Sequence, residues 1–328
     1  MNTRSVPERN IMVGAATPEP DPGPHSAQLR QVYERVLAGS SVRSRSVEVR
    51  GSRVHLLETG DGRPVVFLHG TTATAGMFLP LLDELRGVRA VLPDRPGHGL
   101  SDPIDLPQDR FREAVVSWID GLLDALGLNT TAVLGHSGGG VWALWYALAH
   151  PNRVERLVLI APPALPKTRC PLPIRVIATP GVGGLLSRLA PPTPKSVLQF
   201  ARFMGEQTTL AAHPDLVDLF VATGRDRVAD RVGRAEIRAL ASPLALLSPS
   251  GFRRRSRVRP DELRQVAMPT LMVWGEQEPL GSVAVAQAAT DLIPHARLQV
   301  LPTGHAPWLG EPAQTAKTVV EFITEVSA

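Results

Sequence analysis

One stretch constrains this chain more than any other: Gly135-His136-Ser137-Gly138-Gly139-Gly140. A short apolar run, Ala132-Val133-Leu134, precedes it. A longer one, Val141 to Ala149, follows and stops at His150-Pro151. The first run has the length of a strand and the second that of a helix, so the stretch reads as strand, abrupt turn, helix. A turn this sharp leaves no room for side chains beside the serine, which suits Gly135 and the glycines after Ser137. It would hold the Ser137 hydroxyl at the strand tip and aim the helix N-terminus at the same point, with the spacing of a G-x-S-x-G nucleophile elbow. A chain with 28 glycines also produces such a pattern by chance. The surrounding sequence has to decide between a structural turn and a nucleophile.

Upstream, residues 1–25 are rich in proline and polar residues and read as a disordered or extended arm. Ser26 is placed to cap an amphipathic helix through Leu29, Val32, Tyr33, Val36 and Leu37, closed by Gly39. Two alternating runs, Ser46 to Arg50 and Arg53 to Glu58, predict a β-hairpin. Pro64 to Leu68 and Val88 to Leu92 are continuous apolar runs of the kind buried on both faces of a parallel sheet. Residues 77–86 and Phe111 to Leu126 predict helices, and Val154 to Ile160 another strand. From about Ala161 to Val266 no buried strand is visible. Prolines cluster there between helical patches at Val197 to Met204, Pro214 to Thr223 and Val232 to Leu247, so residues 166–265 are expected to form a helical insertion. Sheet runs resume at Thr270 to Gly275 and Ala296 to Leu301, and a helix from about Pro312 to Val326 closes the chain. The fold class is therefore α/β, a mostly parallel sheet with helices on both faces, in which sites form at the carboxyl ends of the strands. The loops at His69-Gly70 and Asp94, and Ser137 itself, all fall at those ends.

Composition excludes several classes. Hydrophobic residues make up 43% of 328, enough for a large core. A net charge of +4 from 35 basic and 31 acidic residues is too small an excess for a nucleic-acid-binding protein. The run Arg253-Arg254-Arg255-Ser256-Arg257, with Arg259, reads as a solvated face. The single cysteine, Cys170, allows no internal disulfide and has no neighbouring metal-ligand residue. No run reaches the roughly 18 apolar residues of a membrane span, and Ile11 to Ala16 is too short for a secretory signal. The expectation is a cytoplasmic protein with no metal and no organic cofactor.

A serine hydroxyl needs a base, and the base an orienting acid. Of the nine histidines, His305 follows the last strand after Pro302-Thr303-Gly304, at the same sheet edge as Ser137. His136 is adjacent to the serine, but strand alternation sends its side chain the other way. His25 is assigned to the arm. For the acid, Glu276 and Glu278 both fall at the end of the strand closing at Gly275. The other common place, after Ile160, holds only Ala161-Pro162-Pro163.

Taken together, His69-Gly70, Asp94-Arg95-Pro96-Gly97-His98-Gly99, Gly135-His136-Ser137-Gly138-Gly139, Trp274-Gly275-Glu276-Gln277-Glu278-Pro279 and Gly304-His305-Ala306-Pro307-Trp308 resemble the α/β-hydrolase fold family, in its branch of cap-bearing serine esterases and carbon–carbon hydrolases. The resemblance covers about residues 46–165 and 266–328. It implies Ser137 as nucleophile, His305 as base and Glu278, three residues after the strand-ending glycine, as acid. Most relatives carry Asp there, so the longer Glu278 side chain is a departure. The Gly138 N–H, after the nucleophile at the helix N-terminus, and by resemblance the Thr71 N–H would form the oxyanion hole, while His69, Asp94 and His98 would brace the loops. The expected substrate is a small-molecule ester with an apolar part, with carbon–carbon, lactone, amide or acyl-transfer chemistry as alternatives on the same residues. Trp308, Phe200, Phe203 and Met204 are candidates for pocket lining. Leu185, Leu186, Leu219 and Phe220 are placed to serve either the pocket or the insertion's own core.

Overall fold

A computed structural model describes residues 23–242 and 250–325. The chain begins with helix α1, Ala27–Leu37, whose first turn is capped by the Ser26 hydroxyl accepting from the Leu29 N–H at 3.3 Å. The hairpin follows as β1, Arg43–Val49, and β2, Ser52–Thr59, then β3, Arg63–Leu68. The helix expected over 77–86 is smaller than its pattern. A 3-10 turn at Ala75–Phe78 leads into α2, Leu79–Leu82. Pro80 occupies the first turn of α2, the one helical position where its missing N–H costs nothing, so the α-helix cannot begin earlier. Then come β4, Val88–Pro93; α3, Phe111–Ala125; β5, Thr131–His136; α4, Gly138–Ala149; and β6, Val154–Ile160.

Between β6 and the next strand lie α5, Leu172–Ala178; α6, Val182–Leu189; α7, Pro194–Phe203; α8, Gln207–Ala211; α9, Pro214–Arg225; α10, Arg227–Leu240; and α11, Pro260–Leu263. Several of these have a proline in the first helical turn, so Pro173, Pro194 and Pro214 start helices rather than loops. The helix expected to run to Leu247 stops at Leu240. Ala241 turns extended and bridges to Phe252, and Ser242 precedes a proline, a position that avoids helical backbone. The remainder of that expectation, like residues 1–22 of the arm, lies outside the described residues. The chain closes with β7, Thr270–Gly275; α12, Val283–Thr290; β8, Ala296–Leu301; and α13, Pro312–Thr324.

The eight strands form one sheet in the order β1-β2-β4-β3-β5-β6-β7-β8, with β1/β2 and β2/β4 antiparallel and the rest parallel. Strand alternation sorts its residues onto two faces. Val66, Leu68, Val133, Leu157, Leu159, Met272 and Trp274 pack with α3, α4 and α12. Val65, Phe67, Leu134, Val158, Ile160, Leu271 and Val273 pack with α1, α2 and α13. Each such buried aliphatic side chain contributes about 1.5–3 kcal/mol. The continuous apolar runs of β3, β5, β6 and β7 follow from this double coverage. Among the described residues no helix is long and apolar enough to cross a membrane.

Candidate active site

The turn between β5 and α4 places Ser137 at φ 50°, ψ −123°, a backbone region costly for any residue but glycine. The neighbouring glycines make that turn possible by close approach. A methyl at Gly135 would stand 2.4 Å from Gly139 O, and one at Gly139 would stand 2.2 Å from Leu68 O. Ser137 remains partly exposed while the residues on both sides are buried. Its N–H donates to Ile160 O at 2.9 Å, which fixes the turn to β6.

His305 sits in the loop after β8. Its Nδ1 lies 2.7 Å from Glu278 Oε2, and the other oxygen of that carboxylate accepts from the Leu280 N–H at 3.0 Å. Both side chains are buried, whereas Glu276 is exposed. The two loops are laced together by the Glu276 N–H to Leu301 O and the Gln277 N–H to Thr303 O. They approach so closely that a methyl on Gly275 would stand 2.0 Å from Gly304 O. His305 also touches the elbow. The His136 imidazole packs 4.7 Å from the His305 ring, centroid to centroid, and its Nε2 donates to His305 O at 2.9 Å. Burial, then the neighbouring His305, pushes His136 well below the usual histidine range, so it is neutral. Thr71 meets the other side of the elbow. A methyl on Gly138 would lie 3.3 Å from Thr71 N and 2.2 Å from its Oγ1.

The bracing residues form a second, deeper network. Asp94 accepts from the Tyr33 hydroxyl, His55 Nδ1, and the Ala75 and Leu100 N–H groups at 2.7–3.0 Å. His69 accepts the Arg95 N–H on Nε2 and donates from Nδ1 to Gly70 O. Burial, then the Arg95 charge, pushes His69 well below its usual range. Trp142 is core, under the Arg95 guanidinium at 4.3 Å.

The candidate lining residues divide. Trp308 is wholly buried, its indole donating to Met77 O and its ring packed on Phe78 and His136, so it is a core residue and not an accessible wall. Phe200 and Phe203 stack on one another and are 45% and 41% exposed. Leu185 and Leu186 are exposed as well, and Leu219 is core. Met204 is buried, and its carbonyl accepts the His305 N–H at 3.0 Å.

Two site features were missed by sequence reasoning. Glu206, at the start of α8, is buried and accepts the Ala306 N–H on Oε1 at 2.8 Å, so the insertion holds the His305 loop from the other side. Burial raises its carboxyl above the usual range. His25, expected in the arm, is instead buried, with Nδ1 2.9 Å from Asp226 Oδ1 in the insertion and Nε2 2.8 Å from Ser101 O in the core. Neither has a local sequence signal, because each partner lies on a distant segment.

The model of the alpha/beta hydrolase fold matches residues 63–312. The chain belongs to the α/β-hydrolase fold family. A 2-hydroxy-6-oxo-6-phenylhexa-2,4-dienoate hydrolase from Burkholderia cepacia is 33% identical over 118 residues, 34% of this chain and 41% of that protein. The chain thus spans about half the length, or less, of the first curated relatives it matches. A pimeloyl-[acyl-carrier protein] methyl ester esterase from Shewanella sp. (strain MR-7) is 24% identical over 282 residues, 83% of this chain and 95% of that one. Among solved structures, carboxylesterase CesB (YbfK) from Bacillus subtilis superposes with a TM-score of 0.70 at 22% identity, over 90% of this chain and 97% of that chain. As in a cap-bearing member of this fold family, a helical insertion lies between β6 and β7.

Proposed function

We propose that this hydrolase cleaves a carboxylic ester through an acyl-enzyme on Ser137, with His305 as base and Glu278 as its orienting acid. The observation that carries the reading is the buried 2.7 Å contact of Glu278 with His305 Nδ1, on a loop packed directly against the elbow. A carboxylate on Nδ1 fixes the tautomer that leaves Nε2 unprotonated. Nε2 then takes the Ser137 proton as Oγ attacks the carbonyl carbon. The oxyanion is received by the N–H groups of Thr71 and Gly138, each worth about 3 kcal/mol in the transition state. The tetrahedral adduct collapses, and the alcohol leaves with the proton from His305. A water deprotonated by the same imidazole then releases the acid and restores the serine. The insertion acts as a lid, and its apolar side chains favour an ester with an apolar part. Apart from the hydrolytic water, the steps use side chains and backbone amides of this chain.

The breadth of the match to the Shewanella ester esterase supports the ester reading. The local identity with the dienoate hydrolase supports a second, carbon–carbon hydrolysis on the same three residues. A panel of nitrophenyl esters, lactones, amides and dienone acids separates the two. In the same assay Ser137→Ala is expected to lower kcat by roughly 10⁵-fold with an unchanged melting curve. Turnover equal to that of the parent protein would refute Ser137 as nucleophile.

A further inference from the structure

Helix α10 of the insertion lies directly on the loops that surround Ser137. A methyl on Gly233 would meet Thr72 Cγ2 at 2.8 Å, and one on Gly97 would meet Val232 Cγ2 at 2.6 Å, so helix and loops touch backbone to side chain. Between these contacts α10 delivers Glu236. Its carboxylate takes Arg95 Nη1 at 2.6 Å and Nη2 at 3.2 Å, a two-pronged pair with 2% and 0% of the side chains exposed. Charged side chains this deeply buried are rare unless paired, and this pair stands beside the reaction centre. A methyl on Gly138 would lie 3.2 Å from Glu236 Oε1 and 3.3 Å from Thr71 N.

Among the described residues, the groups around the pair add acceptors and no further free cation. His98 Nδ1 donates to Pro96 O, which leaves Nε2 as an unprotonated acceptor. That atom is buried without a partner among the described residues, 4.0 Å from Glu236 Oε2. Burial, then the Arg95 charge, pushes His98 down to about 4. His69 and His136 are likewise neutral. Arg95 is thus the cation beside the nucleophile, and its two terminal nitrogens are occupied by Glu236.

From this geometry we infer that Glu236 is a specificity-determining residue: by engaging Arg95 and presenting a carboxylate beside Gly138 and Thr71, it selects substrates that are uncharged next to the reacting carbonyl and rejects those with a carboxylate there. A substrate anion would meet a fixed like charge and a histidine acceptor, with both terminal nitrogens of the guanidinium already taken and only its buried Nε–H left unpartnered among the described residues. Like-charge juxtaposition is one means by which a site rejects a partner. The inference rests on Ser137 as nucleophile, but not on the bond cleaved.

The test uses two fluorophosphonates of equal chain length, one ending in methyl and one in carboxylate close to phosphorus, with Ser137 labelling rates read by mass spectrometry. The full chain is expected to react with the neutral probe at least about tenfold faster. In Glu236→Gln, which keeps the shape and frees the Arg95 charge, the ratio should fall about tenfold or more. In Arg95→Gln/Glu236→Gln, which removes both charges, it should lie between the two. Melting curves report folding; if the single variant does not fold, the double variant carries the test, and a ratio equal to the parent's overturns the inference. A parent ratio at or below unity, or a ratio unchanged in Glu236→Gln, also overturns it. Labelling of Ser137 without turnover of any ester would refute the ester reading alone. Labelling by neither probe would refute the nucleophile, and this inference with it.

Discussion

Glu278 and Glu276 lie only two positions apart, yet only Glu278 is buried against His305. An extra methylene relative to aspartate lets its carboxylate reach Nδ1 while the second oxygen still accepts the Leu280 N–H. Glu278→Gln keeps the volume and can still hydrogen-bond, but it removes the charge that stabilises an imidazolium and no longer enforces the Nδ1–H tautomer. Loss of about 10³–10⁴ in kcat is expected on a nitrophenyl ester. Glu276→Gln, at an exposed position, should change kcat/KM less than about twofold. Equal losses in the two variants would remove Glu278 from its role. Glu206 shows how a single buried carboxylate can join two segments: it satisfies the Ala306 N–H, a donor that would otherwise be buried without a partner.

At the scale of elements, the start of α1 clasps the insertion to the core. Asp226 caps α10 through the Val228 and Ala229 N–H groups, and it also takes His25 Nδ1 and the Ser26 N–H. Burial alone would lower the His25 pKa, but Asp226 and Ser101 O outweigh it and raise it. Burial alone would raise Asp226, but the hydrogen bonds from His25, Ala229 and Ser26 hold it well below the carboxylate range. The raised His25 contributes fully below its unfolded value of about 6.5 and loses that contribution as pH rises through its folded value. The depressed Asp226 contributes above its unfolded value of about 3.9 and loses that contribution on acidification. The clasp is therefore strongest between about pH 4 and 6.5. In urea titrations, His25→Ala should cost about 3 kcal/mol at pH 5.5 and clearly less at pH 9. A cost independent of pH would show that the pair acts by packing alone.

Across the whole molecule, α1 joins what the chain order separates. Leu29, Val32 and Tyr33 sit in the same apolar cluster as Leu216, Val217 and Leu219 of α9, and the Tyr33 hydroxyl reaches Asp94 of the core. Deleting residues 1–38 should therefore loosen the insertion before the sheet: limited proteolysis is expected to cut within residues 166–265 while the amides of β3, β5 and β7 keep their exchange protection. Uniform loss of protection would mean that sheet and insertion unfold as one unit. The parts of this architecture that could be read in advance have short-range causes. The elbow is legible because a tight turn demands glycine within a few positions, and the central strands because burial on both faces requires unbroken apolar runs. The order of Ser137, Glu278 and His305 follows from strand ends along one sheet edge. Helix α5 was hidden by the proline in its first turn, and α6 by the Pro180-Gly181 pair that precedes it. Trp308 is a large apolar residue beside a histidine, and nothing local separates a core position from a wall. Which glutamate faces His305, how His25 meets Asp226 201 positions away, and why Arg95 is paired to Glu236 141 positions away were decided only by the tertiary structure. A buried polar group takes whichever partner the packed elements bring to it, and no periodicity along the chain records that meeting.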